Sequence, residues 1–473
     1  MNYVFYDLET TGRSAFWDQI VQVAAIFTDE NLRVIEKYED KCKINSSCIP
    51  HPEAILVNKI KMKTLLSTNL SHYQLMLNVQ KKFASWSPAI FVGYNSIKFD
   101  EEFLRNSFFR SLLDPYITIK KKNYRFDLLD SVRSTNYFYP EKLKSLISEK
   151  GNPIFKLDKI APVNGISDFT AHDAMGDTIA TLELAKIIKN QTTNIWAETI
   201  SNKSQNNLIQ YISENPFCYI DSFFGKIKLY FLSFVGEHPL YKWAICFDLQ
   251  KDPAEVINMS DENFNKYIER SPKVIRNIKL NKSPIFQSYK FINRVSAHEG
   301  ISEKIILNRN QFIKNNPLFK ERIISYYEKK ALEKENFTNQ NDILAEESIY
   351  KKFTSYQDSK LMIDFHHSDW EKKNIIKTKF YDKRLTYFAN LLIYEENPES
   401  LDQKTLKKLR KSISDRLLSN NNENWLTLYE AYKKIDDLRE KCDNENDNDS
   451  LRSLKEINEY LEQTEEKLQK YRN

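Results

Sequence analysis

The chain has 473 residues, 41% apolar and 29% charged, which excludes a disordered or collagen-like protein and leaves material for about three domains at ~150 residues each. Its 70 basic and 65 acidic residues leave a net charge of +5, too small to name an anionic partner alone. No run approaches the ~20 apolar residues of a membrane helix, and the first residues lack a signal peptide's basic stretch and apolar core, so the expectation is a soluble cytoplasmic protein.

Residues 1–190 alternate strand and helix patterns. Val4–Leu8, Ile20–Phe27, Val34–Ile44 and Ala89–Tyr94 read as strands, the third polar enough for an edge. Helices fit Tyr73–Phe83, Glu101–Leu113, Asp127–Tyr139 and Ala174–Ile188, the last with its apolar residues on one face. The order implies a mixed sheet with helices on both faces. From 195 to 340 the expectation is a small, mainly β module, with strands at Phe217–Phe224, Lys228–Val235, Trp243–Leu249 and Val274–Leu280, then a helix at Leu318–Glu335. Thr338–Asp342 is a polar boundary, and 345–473 is charged and helical. The run Cys442–Ser450 reads as a flexible break between two late helices. Cys42, Cys48, Cys218, Cys246 and Cys442 are scattered, with no zinc-type spacing, and read as reduced thiols.

Asp7 and Glu9 fall two apart on the first strand and so share a face. Paired carboxylates repel unless a divalent cation lies between them; a merely polar strand end accounts for them equally well. Asp100 follows a turn through Gly93 and Asn95, and helix capping explains it without any chemistry. His172 and Asp173 stand at the mouth of the helix from Ala174, and Asp177 lies one turn inside it. Compensation of the helix dipole is the plain reading of Asp177, yet a histidine five residues earlier lets both face one pocket.

Taken together, Asp7-Leu8-Glu9-Thr10, Asn95 to Asp100, and His172 to Asp177 resemble the DEDDh branch of the ribonuclease-H-like exonucleases. The tyrosine branch carries Tyr at the position of Asp173. Within the DEDDh branch the chain is similar to the bacterial exonuclease I family, through Gly93–Phe99, Asp114-Pro115-Tyr116, Arg125–Asp130, Ala171–Met175, Asn281–Pro284 and Phe380–Arg384. The resemblance implies an α/β multidomain protein: a ribonuclease-H-like exonuclease domain at 1–190, an SH3-like domain at 195–340 and a C-terminal helical domain at 345–473. It implies processive 3′→5′ digestion of single-stranded DNA to 5′-mononucleotides, in DNA repair and recombination. Two Mg²⁺ ions, which Mn²⁺ can replace, would sit on Asp7, Glu9, Asp100 and Asp177. His172 would be the general base, since histidines titrate near neutral pH.

The same resemblance places DNA contacts at Glu9, Thr10, Arg105, Tyr116, Lys120, Arg133 and Lys156, with Lys203, Lys242, Arg276 and Asn281 along a channel. Lys156 replaces the usual Arg, and Lys120 stands where relatives carry an aromatic. Independently, Lys120–Phe126 (KKKNYRF) interleaves cations with rings, which suits a single strand or an ordinary solvated loop. Single-stranded-DNA-binding protein is an implied partner through its acidic C-terminal tail, with Arg294 and Lys314 as contacts, and a monomer is implied. Two other readings stay open: an RNA-directed DEDDh nuclease, and a non-catalytic strand-binding scaffold.

Overall fold

A computed structural model describes residues 1–201, 203–223, 225–295, 300–335 and 343–472. The expected boundary at Thr338–Asp342 and the end of the strand at Phe224 lie outside the described residues.

The first region is built on five strands: β1 (Tyr3–Thr10), β2 (Ile20–Thr28), β3 (Val34–Lys41), β4 (Ile90–Gly93) and β5 (Tyr124–Asp127). Their spatial order is β3-β2-β1-β4-β5. β1 pairs antiparallel with β2 and parallel with β4, and β5 is parallel to β4. The polar third strand is at the edge, as its composition implies. β5 departs from both readings of Lys120–Phe126, as a single-strand-binding stretch and as a solvated loop. Lys121 and Lys122 form a turn at positive φ, but Arg125 and Phe126 are buried in the sheet.

Alternation along β1 splits the region into two cores. Val4, Tyr6 and Leu8 join Phe83, Phe91, Phe103 and Phe108. Tyr3 and Phe5 face the other way, onto Ala180, Leu184 and Ile188 of helix Ala174–Gln191. Apolar on both faces, the central strand requires helices on both sides.

The second region holds an antiparallel sheet of Phe217–Phe223, Lys226–Glu237, Ala244–Asp248, Ile275–Ile278 and Gln287–Ser288. It is less purely β than its sequence suggests. Helices Gln205–Glu214, Asp261–Glu269 and Glu303–Asn315 pack around it, each amphipathic but short. Its core is continuous with the first region's: Phe231, Phe247 and Phe319 belong to the cluster that holds Tyr3 and Phe5.

The third region is helical, with Tyr356–His367, Lys383–Glu396, Gln403–Leu417, Leu428–Glu445 and Asn448–Arg472 as its main helices. It shares a core with the first through Ile44, Ile55, Leu65, Phe109 and Phe388. The flexible break expected at Cys442–Ser450 is a correction. Helix Leu428–Glu445 takes its first four residues, Asn446 ends that helix in the left-handed region, and the last helix begins at Asn448. Buried Cys442 anchors the turn to the core, which outweighs the polarity of its neighbours. Among the described residues no helix is long and apolar enough to cross a membrane.

Candidate active site

On the face of β1 that carries Tyr3 and Phe5, the next two positions are Asp7 and Glu9. They emerge where helix Ala174–Gln191 begins, so its first-turn residue Asp177 meets them. Carboxylate oxygens of Asp7, Glu9 and Asp177 lie within 4.8 Å of one another. The β1–β2 register shifts between Glu9 and Thr10, a bulge of the kind that re-aims side chains beside functional sites.

The helix entrance is built tightly. Asp173 caps it, accepting from the Gly176 N–H at 3.2 Å, and takes a second bond from Gln22 Nε2 at 3.0 Å. His172 has a φ of 63°, and its backbone N–H donates to Asp177 Oδ2 at 3.3 Å. Gly176 permits this fold-back: a Cβ there would stand 2.1 Å from the Thr170 carbonyl oxygen.

Asp100 reaches the site from the opposite side. The expected capping role is not what the structure has: Phe99 is the N-cap and makes no side-chain bond, while Asp100 is the first helical residue. Its carboxylate takes a bond from its own backbone N–H and forms no ion pair among the described residues. The turn before it is held by Asp127, whose carboxylate accepts from the Asn95 N–H at 2.7 Å, the Ile97 N–H at 3.2 Å and the Leu129 N–H at 3.1 Å. Behind it Glu101 is fully enclosed. It accepts from Tyr6 at 2.8 Å and Thr118 at 3.0 Å and pairs with Arg125. Tyr6 precedes Asp7 and Glu101 follows Asp100, so this buried network fixes the two halves of the site together.

One cleft of about 620 Å³ is lined by Asp7, Glu9, Asp100, His172 and Asp177. The structure thus brings all five motif residues into one place, with Asp100 outside the tight trio. Glu9 is 7% exposed and Asp100 4%. Burial, then Asp177 and Asp173, push the Glu9 carboxyl up to about 8, against a small opposing pull from Lys41. Burial also lifts Asp177 to about 6 although the His172 N–H lowers it. Asp7 and Asp100 are driven well above the ordinary carboxylate range, chiefly by burial, with Asp100 itself the next cause at Asp7. Among the described residues no Lys or Arg forms an ion pair with any of the four. Crowded, buried, uncompensated carboxylates are an unfavourable arrangement that divalent cations relieve. An all-oxygen donor set fits hard cations rather than thiolate-seeking ones.

Other expected contacts are spread wider. Arg105 lies over the Tyr116 ring at 5.2 Å, and Lys120 lies 5.5 Å from the same ring while paired to Asp114 at 2.7 Å. Those three line a second cleft of about 780 Å³ with Asn281, Tyr350 and Phe353. Arg133 pairs with Asp130 at 3.0 Å. Lys203 sits over the Tyr124 ring at 5.3 Å, and Arg276 over Tyr230 at 3.9 Å. Lys156 and Lys242 are exposed. Thr10 donates to the Gly12 carbonyl at 2.6 Å. Lys314 donates to the Glu214 carbonyl, and Arg294 lies 4.1 Å from the Tyr139 ring centre. Sequence reasoning missed Arg13, His51, Asn58 and Lys434, which also line the active-site cleft. Lys434 comes from the third region, and no local signal could have linked it to Asp7.

Comparison with known proteins follows the same three regions. The exonuclease family model matches residues 4–185, the exonuclease I SH3-like domain 201–329 and the exonuclease I C-terminal domain 343–464. Exodeoxyribonuclease I of Buchnera aphidicola from Schizaphis graminum is 28% identical over 84% of this chain and 86% of its own length. That of Escherichia coli is 25% identical over 81% and 83%. A crystal structure of E. coli exonuclease I in complex with a dA16 oligonucleotide superposes with a TM-score of 0.83 at 22% identity, covering 98% of this chain and 99% of that one. With its catalytic region and both family-specific regions matched in order, this chain belongs to the exonuclease I family.

Proposed function

We propose that this chain removes nucleotides one at a time from the 3′ end of single-stranded DNA, acting processively as a monomer in DNA repair and recombination. The observation that carries the reading is the trio Asp7, Glu9 and Asp177 within 4.8 Å, with Asp100 and His172 lining the same cleft. Membership of the family brings dependence on a divalent metal; we assign Mg²⁺, with Mn²⁺ able to replace it, held by Asp7, Glu9 and Asp177 and, for a second ion, Asp100. Held there, the metal would supply charge neutralisation at the scissile phosphate and acidification of the attacking water. His172 takes the proton from that water. Glu9 and Thr10 hold the terminal nucleotide, and the bulge between them sets its angle. Arg105, Tyr116 and Lys120, and beyond them Asn281, carry the following strand by cation and ring contacts. Arg133, Lys156, Lys203, Lys242 and Arg276 complete the path. The domain division 1–190, 195–340 and 345–473 belongs to the same reading.

The test is a duplex with a 3′ overhang, labelled at the 5′ end of the overhanging strand. Mg²⁺-dependent shortening that slows at the duplex, is absent in chelator and is lost in Asp177→Asn is the expected result. Retained binding with no shortening would leave a scaffold. Faster loss of a matched RNA strand would move the substrate to RNA. Single-stranded-DNA-binding protein is the proposed partner, its acidic tail meeting Arg294 and Lys314. Saturable binding of the tail peptide at low salt, weakened in an Arg294→Ala/Lys314→Ala double variant, is expected.

A further inference from the structure

A second groove of about 690 Å³ opens off the active-site cleft. It runs between the loop after β1 and helix Leu428–Glu445. It shares Arg13, His51 and Lys434 with that cleft, and shares no lining residue with the cleft of Arg105, Tyr116 and Lys120. It is therefore continuous with the carboxylates but separate from the surface assigned to the incoming strand.

Its lining changes character along its length. Where it meets the carboxylates it is cationic. Lys434 is paired with Glu53 at 2.7 Å, and His51 Nε2 stands 3.7 Å from Asp18. Arg13 is exposed and, among the described residues, forms no ion pair. Gly12 brings this loop in closely: a Cβ there would stand 2.4 Å from both Asp18 and His51. Further along come rings. Trp17 and Trp425 are in contact at 4.7 Å between centroids, and Tyr429 is 61% exposed. Glu423, Glu430 and Asp437 also line the groove.

We propose that this groove binds the released nucleoside 5′-monophosphate, with its phosphate at Arg13 and its base against Tyr429 and the two indoles. The inference rests on the reading of the cleft as a 3′→5′ exonuclease site. In that reaction water oxygen bonds to phosphorus, the bond from phosphorus to the 3′ oxygen breaks, and that oxygen leaves with a proton as the new strand end. The freed nucleotide keeps the phosphate, now with more negative charge than the diester had. Arg13 lines both the cleft and the groove and, among the described residues, has no ion pair, so it can receive that phosphate as it leaves the cleft. Arginine forks match phosphate oxygens. Ring stacking accepts any base, as an enzyme releasing all four nucleotides requires. Glu423, Glu430 and Asp437 outnumber Lys433 in the rest of the lining, which favours the Arg13 end for the phosphate. The volume falls within the ~300–1,000 Å³ of small-ligand sites.

The test is calorimetric titration of the full chain in chelator, where no turnover occurs, with thymidine 5′-monophosphate, thymidine and inorganic phosphate. Saturable monophosphate binding is expected, at least tenfold tighter than thymidine. Arg13→Ala and Arg13→Glu should each weaken it tenfold or more. Tyr429→Ala, at an exposed position, should weaken the monophosphate but leave inorganic phosphate unchanged. Absence of wild-type binding, or wild-type affinity retained in both Arg13 variants, overturns the proposal. So does loss of oligonucleotide affinity by the same factor as monophosphate affinity, which would make Arg13 a strand contact. A wild type that shortens DNA but binds no monophosphate refutes this inference alone. One that binds the monophosphate but never shortens DNA refutes the exonuclease reading and leaves a nucleotide site.

Discussion

Glu9 makes the metal-free protein pH-sensitive in a direction opposite to that of a salt-bridged carboxylate. Its carboxyl is held at about 8 against an ordinary 4.5. Between those values the folded protein keeps a proton that the unfolded chain has released. Stability from this group is therefore full below pH ~4.5 and lost as pH rises through about 8. At ~1.4 kcal/mol per pH unit the loss is on the order of 5 kcal/mol. Asp177, lifted to about 6, adds less than its own share because the two charges repel and titrate together. The assay is thermal unfolding in chelator from pH 5.5 to 8.5, for wild type and Glu9→Gln. Subtracting the variant removes the titrating groups that do not interact with Glu9. About 3 kcal/mol of that loss falls within this range, so the wild type should lose about 3 °C more than the variant. Adding Mg²⁺ or Mn²⁺ at pH 8.5 should recover the difference in the wild type and do little at pH 5.5, where protons occupy the ligands. Parallel curves for wild type and variant, or a wild type that gains stability towards pH 8.5, would refute the uncompensated-carboxylate account.

Gly176→Ala should displace the Thr170–Asp173 segment, since the new methyl meets a backbone carbonyl. Activity should fall at least tenfold with oligonucleotide binding retained, read as kcat against KM. Asp127→Ala leaves three N–H groups of the Asn95–Leu129 neighbourhood without their acceptor and should cost ~1–3 kcal/mol. The metal concentration needed for half-maximal activity should also rise as Asp100 loosens. Arg125→Met strands Glu101, whose carboxyl burial would raise but which Arg125 and Arg105 hold below its ordinary value. A loss of about 3–5 kcal/mol is expected, measured by denaturant unfolding.

What the sequence exposed and what it hid follow from range. Asp7 and Glu9 share a strand face, and His172 and Asp177 share a helix entrance, so their pairing needed only local periodicity. That the two pairs meet depends on β1 and helix Ala174–Gln191 packing through Tyr3, Phe5 and Ala180, which the motif order implied but no spacing could derive. Asp100 was legible as a ligand only through the combined motifs; taken alone it read as a helix cap, a position that Phe99 holds instead, because an acidic residue at a helix start has an ordinary explanation and φ/ψ at Phe99 is invisible in sequence. β5 was hidden by its composition. Arg125 looks like a surface cation until Glu101, 24 residues earlier, is seen to bury with it. Cys442 shows the reverse error, where a polar run concealed one apolar anchor.

The three regions are not independent bodies tethered to a nuclease. β1 lies between two apolar clusters; one continues into the second region through Phe231 and Phe247, while packing on the other side of the first region joins Val21 and Phe109 to Phe388 of the third. The polar ties run across the same seams. The Arg125 guanidinium that holds Glu101 also donates to the Asn281 carbonyl at 3.1 Å, and Glu102 takes Lys282 from the second region and Tyr350 from the third. Residues 100 to 102 thus supply, in sequence, a carboxylate for the cleft, a buried brace to β1 and a bridge to both other regions. Anything that shifts Lys282 or Tyr350 bears on the helix whose first residue is Asp100. Mutating Glu102 to Gln, far from any reacting atom, should therefore lower processivity and metal affinity together. Loss of processivity alone would mean that the bridge serves only the strand path.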